Sequence, residues 1–206
     1  MIFNIKKIHE MFPITGIMHV GAFAGEELDS YRSLGLTNTM MFEPQKHLYE
    51  RLLPKMMLDE EIHNVALGAC HDTMEMYISY REGGIERGSG ASSSLLRPKV
   101  HLEEHPDVTF PQTETVEVRT LDDYYQEGYN FLNIDVQGYE LEVLKGGTKT
   151  LQNINAMVLE VNKDEVYEGC PLIDDITSFL TPLGFTLIET IWQSKSWGDA
   201  VYARLQ

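Results

Sequence analysis

The chain has 206 residues, 43% of them hydrophobic, which is enough for one compact domain with a sizeable core. Its 32 acidic residues against 16 basic ones give a formal charge of -16, whose long-range field repels nucleic acid and anionic membrane. Cys70 and Cys170 stand far apart with no pattern of a disulfide framework or zinc site, no apolar run approaches membrane-spanning length, and Lys6, Lys7 and Glu10 interrupt the start, so a cytoplasmic protein with reduced thiols is expected.

Ile5, Ile8 and Phe12 share one face of a short helix, placed within residues 1–13, that Pro13 terminates. Thr15 to Pro44 then reads as strand, glycine turn, helix, strand. Ile17, Met18 and Val20 form an apolar run ending at Gly21-Ala22-Phe23-Ala24-Gly25, and Glu26 to Leu34 carries Leu28, Tyr31 and Leu34 at helical spacing. Met40-Met41-Phe42 is the second strand, and Glu43 follows it, 18 residues past Gly25, where a βαβ nucleotide site places its ribose-binding carboxylate. The glycines are spaced Gly-x-x-x-Gly, so the dinucleotide fingerprint is incomplete, and Glu26-Glu27 at the helix start repel a pyrophosphate. The same acids suit a ligand without phosphates that carries positive charge, and S-adenosylmethionine has both properties.

Leu48 and Leu52 continue an amphipathic helix whose end Pro54 signals. Ile62 to Leu67 and Thr73 to Tyr80 are β-like runs separated by Gly68 to Asp72, which predicts a hairpin or a strand with a tight return; an adenine would rest near this edge, with Asn64 or Ala66 in contact. Residues 81–98 are rich in glycine and serine and carry a net charge of +2 from Arg81 to Lys99, which fits either a flexible lid over a substrate or a solvated surface loop. His101 and His105 lie four apart, but the order is not that of a zinc-binding His-Glu-x-x-His and no third ligand suggests itself, so a solvated helix face is expected and no metal. Thr115 to Arg119 alternates as a strand, and Thr120 with Asp123 caps the helix that follows, Leu121 to Tyr125.

Phe131, Leu132 and Ile134 make a buried strand that ends at Asp135, and Val136-Gln137-Gly138 turns into a helix, Tyr139 to Lys145, with Gly146-Gly147 as its C-cap. Ala156 to Leu159 is a central strand ending at Glu160. Ligands of open α/β sheets bind outside the carboxyl ends of the strands, so Asp135 and Glu160 belong on one rim with Gly21 and Glu43. Pro171 to Leu180 is a further helix, and Phe185 to Glu189 with Asp199 to Leu205 form the last strands, compatible with an antiparallel hairpin at the sheet edge.

Ile17 to Glu26, Phe42-Glu43-Pro44, Val118 to Asp123 and above all Asn133-Ile134-Asp135-Val136-Gln137-Gly138-Tyr139-Glu140 through Gly146 resemble the FkbM family of S-adenosylmethionine-dependent methyltransferases, from about Thr15 to the C-terminus. The resemblance implies a Rossmann-like, doubly wound, mostly parallel seven-stranded sheet with an antiparallel final strand and helices on both faces. It also implies O-methylation of a small molecule, often a sugar or polyketide hydroxyl. Gly21, Gly25 and Glu43 take cofactor roles on that pattern, together with His19, Ala22, Phe23, Pro44, Asn64, Ala66 and Asp135; His19 stands where many members have Asp. For the general base that an alcohol acceptor requires, Asp135 comes first, followed by Glu160, Glu140 and His71. Each also has a structural reading: Asp135 as a cap of its turn, Glu140 as an acceptor of backbone amides, His71 as a turn residue. The alternative function is a non-catalytic nucleoside-binding module of the same fold, and a nicotinamide oxidoreductase is disfavoured by the missing third glycine. Oligomeric state is left open.

Overall fold

A computed structural model describes residues 3–205, apart from the Arg87 side chain; Met1, Ile2 and Gln206, which the expected single-domain span 1–206 and helix 1–13 include, lie outside the described residues. The elements run α1 (Ile5–Met11), β1 (Ile17–Val20), α2 (Leu28–Ser33), β2 (Thr39–Phe42), α3 (Lys46–Leu52), β3 (Glu60–His63), β4 (Ala66–Leu67), β5 (Asp72–Arg81), α4 (His101–Glu104), β6 (Val108–Arg119), β7 (Phe131–Ile134), α5 (Glu140–Lys145), β8 (Ala156–Asn162), α6 (Ile173–Leu180), β9 (Thr186–Trp192) and β10 (Trp197–Ala203). Seven strands form one sheet in the order β3-β2-β1-β7-β8-β10-β9, in which only β10 runs against its neighbours.

The central strands β1, β2, β7 and β8 are buried at every position, as strands covered on both faces must be. Alternate side chains separate into two cores. Met18, Val20, Met40, Phe42, Leu132 and Ile134 pack with Val143, Leu144, Ile176 and Leu180 of α5 and α6. Ile17, Met41 and Phe131 face the other way, onto Ile5, Ile8, Leu28, Tyr31 and Leu52 of the first three helices.

Strand register carries the functional consequence. Val20 is paired with Phe42 on one side and Ile134 on the other, Ile134 with Leu159, and Glu160 with Asp199. The next residues therefore form one row across the sheet: Glu43, Gly21, Asp135, Glu160 and Asp199. β1 pairs in parallel with both β2 and β7, so the chain order reverses at β1, which is the switch point where such sheets open a crevice.

Several elements depart from expectation. The run expected as one strand over residues 62–67 is split: Asn64 Nδ2 donates to the carbonyls of Glu43 and Pro44, and past this clamp the chain leaves the large sheet. Ala66–Leu67 joins a second, three-stranded sheet of order β4-β6-β5, so the expected hairpin partner of β5 is replaced by β6. β6 is longer than Thr115 to Arg119 because its first half carries mostly polar side chains without an apolar period. α2 starts at Leu28 rather than Glu26, since Phe23 (φ 44°) and Gly25 (φ 75°) keep the chain turning. His101 is buried against Phe110 and Tyr167, not solvated, and burial first, then His105, lowers its pKa to about 4.

Gly146 corrects a backbone argument. Its φ of -75° is open to any residue, so no left-handed cap is present; instead a Cβ there would lie 2.0 Å from the carbonyl oxygen of Gly68. Close approach of two backbones demands the glycine. Gly146→Ala is expected to destabilise at the upper end of the range for overpacking, about 1 to 3 kcal/mol, in urea unfolding; a midpoint unchanged from the parent would refute the contact.

Candidate active site

The turn after β1 is built against the turn after β7. Gly21 sits at φ 86°, and a Cβ on it would fall 1.8 Å from the carbonyl oxygen of Asp135, so only glycine lets the two backbones meet. Gly21 N and Ala22 N both donate to the Phe42 carbonyl at 3.0 Å. Glu43 then joins the two neighbouring turns: its Oε2 accepts from Phe23 N and its Oε1 from Gln45 N, each at 2.8 Å. Burial raises its pKa to about 7, against the pull of these backbone bonds.

Two cavities meet at this turn. The first is apolar, about 40 Å³, with Phe42, Val65, Ala66, Leu67 and Met76 on its walls and Glu43 and Pro44 at its rim; Gly90, Ala91, Ser93 and Leu95 close it from the connection after β5. The second, about 220 Å³, shares Gly21, Phe23, Ala91 and Asp135 with the first and adds His19, Ala22, Glu26, Glu27, Asn133, Glu160 and Asp199. One compartment is shaped for a flat apolar group and the other for positive charge.

Asp135 and Glu160 are tied together by one side chain. Gln137 Nε2 donates to Asp135 Oδ1 at 2.6 Å and to Glu160 Oε2 at 2.9 Å. Burial, and then the Asp199 charge, pushes the Asp135 carboxyl up to about 6. Glu160 is driven well above its ordinary range by burial and by the charges of Asp135, Glu140 and Asp199. His19 is kept neutral by burial and lies within reach of Tyr31 Oη (3.4 Å) and Asn133 Nδ2 (3.2 Å).

Four of the residues singled out in sequence hold the scaffold instead of lining a cavity. Glu140 Oε1 accepts from Val136 N and Gly138 N, which shapes the turn that presents Gln137. His71 is exposed, 2.6 Å from Asp123, whose carboxylate also caps the Thr120 turn. Gly25 leaves room for Leu52, whose Cδ2 a Cβ would meet at 2.5 Å. Asn64 acts through the clamp described above. Sequence reading missed Gln45, Gln137, Asn133 and Asp199; the antiparallel register that brings Asp199 beside Glu160 is invisible in a linear pattern, whereas Gln137 stood inside the most specific motif.

The Methyltransferase FkbM domain matches residues 19–187. The chain belongs to this family. The 2-O-methyltransferase NoeI of Sinorhizobium fredii (strain NBRC 101917 / NGR234) is 36% identical over 109 residues, covering 46% of this chain and 45% of NoeI. The FkbM methyltransferase structure from Methylobacillus flagellatus KT superposes over 92% of this chain and 43% of its own, with a TM-score of 0.60 and 14% identity. The chain thus spans less than half the length of these two relatives. The same fold occurs in magnesium protoporphyrin IX methyltransferase from Synechocystis PCC 6803, solved with bound S-adenosylmethionine, at TM-score 0.54 and 9% identity over 98% of this chain and 76% of that one.

The buried acids of this FkbM site have a thermal signature. A carboxyl whose folded pKa is raised keeps a proton that the unfolded chain releases, so its contribution is complete below the unfolded value of 4.5 and is lost as pH rises toward the folded one. Glu160→Gln mimics the protonated acid. It is expected to melt a few degrees above the parent at about pH 8 and to lose that advantage at about pH 5. A constant difference across that range by calorimetry would show that Glu160 is not perturbed.

Proposed function

We propose that the chain is an S-adenosylmethionine-dependent O-methyltransferase acting on a hydroxyl of a small molecule, such as a sugar or polyketide-type metabolite. The observation that carries this reading is the row Glu43, Gly21, Asp135, Glu160 and Asp199, which lines the carboxyl ends of the strands at the switch point. The family assignment supports the methyl transfer, and the name of NoeI supports oxygen as the acceptor atom.

The residues fit the cofactor. Gly21 leaves a cradle that a Cβ would fill, Glu43 offers a carboxylate at the rim of an apolar compartment, and the adjoining compartment is acidic. Val65, Ala66 and Met76 would hold the adenine, Glu43 the ribose hydroxyls, and the acids beside His19 and Ala22 the positively charged methionine end. When bound, S-adenosylmethionine supplies a methyl group on a sulfonium, which needs no phosphate contact.

What the chain adds is position, dryness and a base. Asp135 sits between the two compartments; with its pKa near 6 it is ionised at neutral pH yet more basic than an ordinary carboxylate, as a general base should be. It would hold the acceptor's hydroxyl and take its proton, while the bound cofactor would supply the methyl group and leave as S-adenosylhomocysteine. Residues 88–95 act as a lid: Gly90, Ala91, Ser93 and Leu95 lie over the apolar compartment, where their closing excludes water.

Glu43→Ala is expected to weaken S-adenosylmethionine binding at least about tenfold by calorimetry, since a bond to a charged group is worth roughly 1.5 to 3 kcal/mol. Unchanged affinity in a folded variant removes Glu43 from the ribose. Asp135→Asn is expected to lower kcat by roughly 10² to 10⁴ with little change in cofactor affinity, read as S-adenosylhomocysteine released in a panel of hydroxylated acceptors. Full activity in that variant excludes Asp135 as the base. A parent protein that binds the cofactor and turns over no acceptor favours the non-catalytic module.

A further inference from the structure

Gln137 is the residue through which the lid and the acid pair touch. Its carboxamide nitrogen spends both hydrogens on Asp135 and Glu160. Its carboxamide oxygen accepts from the Tyr167 hydroxyl at 2.7 Å, and that hydroxyl also lies 3.0 Å from the Ser92 carbonyl of the lid. Its main-chain carbonyl accepts from Ser94 Oγ at 2.7 Å. Every polar atom of Gln137 beyond its own N–H is thus committed either to an acid or to the lid and its support.

The backbone gives an independent sign that the side chain matters. Gln137 sits at φ 56°, one of two non-glycine residues in the left-handed region among the described residues, where an L side chain is strained. Glycine would relieve that strain. The carboxamide is also the fitting group: Asn is a methylene shorter, Glu has no hydrogen to donate when ionised, and a cation would neutralise the pair instead of merely bridging it.

We propose that Gln137 is a positioning residue that makes lid closure and the alignment of Asp135 with Glu160 a single event. With the lid down, Ser94 holds the Gln137 main-chain carbonyl and Tyr167, itself in reach of the Ser92 carbonyl, holds the carboxamide, which in turn donates to Asp135. With the lid up, the turn loses Ser94 and Tyr167 loses Ser92, so the carboxamide is no longer fixed in place and Asp135 loses a steady donor that favours its charged form. The role in catalysis rests on the reading of Asp135 as base; the coupling itself does not. The groups that face Asp135 are Glu160 on the neighbouring strand β8, Asp199 on β10 beyond it, Glu140 on α5, Tyr167, and Glu27 beside neutral His19. Glu26 is exposed at the mouth, and among the described residues no lysine or arginine lines either cavity.

The test uses the full chain without cofactor, so it is separate from whether S-adenosylmethionine binds. Carbon-13 NMR of labelled aspartate carboxyls, with the Asp135 signal assigned by its loss in Asp135→Asn, gives the midpoint of Asp135, and amide hydrogen exchange reports on residues 88–95. Gln137→Leu is expected to raise that midpoint by about one pH unit or more and to speed exchange in 88–95 about tenfold. Tyr167→Phe, which removes an atom touching neither acid, is expected to speed the same exchange and to move the midpoint in the same direction by less. A Gln137→Leu protein with native circular dichroism and an unmoved Asp135 midpoint overturns the proposal. Should that variant fail to fold, Tyr167→Phe and Ser94→Ala decide: a midpoint that moves in either supports the coupling, and one unmoved in both overturns it.

Discussion

The alignment of four strand ends is the constraint on which the site depends. Once Val20, Phe42, Ile134 and Leu159 are level, the residues after them have no choice but to share a rim, and a slip of one residue in any strand would send its acid to the opposite face. Register in turn is fixed by the alternation of large side chains between two separate cores, one under α5 and α6 and one under α1 to α3. The burial that stabilises the fold therefore also concentrates carboxylates, since apolar packing delivers Glu43, Asp135, Glu160 and Asp199 to one row whether or not their charges favour it. Glu43, Glu160 and Asp199 are buried and Asp135 is partly so, and their mutual repulsion is relieved by protonation and by neutral donors.

The donors come mostly from turns. Glu43 is satisfied by amides of Phe23 and Gln45, and Glu140 by amides of Val136 and Gly138, so each carboxylate is also the peg on which its loop hangs. Scaffold and site are therefore not separable at these positions. A carboxylate that holds its loop by one lone pair on each oxygen still has lone pairs facing outward. Glu43 is placed to do both tasks, whereas Glu140, which lines neither cavity, has only the first.

The cap over the site follows a different rule. Residues 88–95 are held by a short antiparallel bridge of Ser94 to Tyr77 of β5 and by hydroxyls: Ser79 N donates to Ser93 Oγ, Gly90 N and Ser92 N lie 3.1 Å from Ser79 Oγ, Ser93 Oγ donates to Gln45 Oε1, and Gln45 Nε2 donates to the Gly90 carbonyl. Serine and glycine bury little apolar surface, and each hydrogen bond exchanges with water at a net gain of only about 0.5 to 1.5 kcal/mol.

Linear sequence revealed what depends on periodicity and on strand ends. β1, α2 and β2, the strand and turn before α5, β8 and the final hairpin were legible because fully buried strands read as unbroken apolar runs, and the rim followed from the rule that ligands sit at their carboxyl ends. What escaped depends on pairing between distant segments. Nothing in Ala66-Leu67 announces that it leaves one sheet for another; the cause is Asn64, gripping two carbonyls some twenty positions back. His71 looked like a base and is bound to the cap at Asp123, while Asp199 looked like an ordinary strand residue and stands beside Glu160.

The polarity of the rim also explains why a glycine turn of this shape lacks the remaining glycine of a dinucleotide site. A pyrophosphate needs free amides in the glycine turn as well as at the helix start, and in this turn three are already engaged: Gly21 N and Ala22 N bond the Phe42 carbonyl, and Phe23 N bonds Glu43. What remains to meet a ligand at the turn is carboxylate oxygen, from Glu26 and Glu27 on one side and from Asp135, Glu160 and Asp199 on the other. Among the described residues a phosphate placed there would meet mostly carboxylates, and in a partly desolvated crevice that arrangement is repulsive. A ligand with a neutral ribose and two cationic centres would meet the opposite: each cation stabilises a carboxylate that burial has made reluctant to ionise, so binding and the ionisation of Glu160 favour each other.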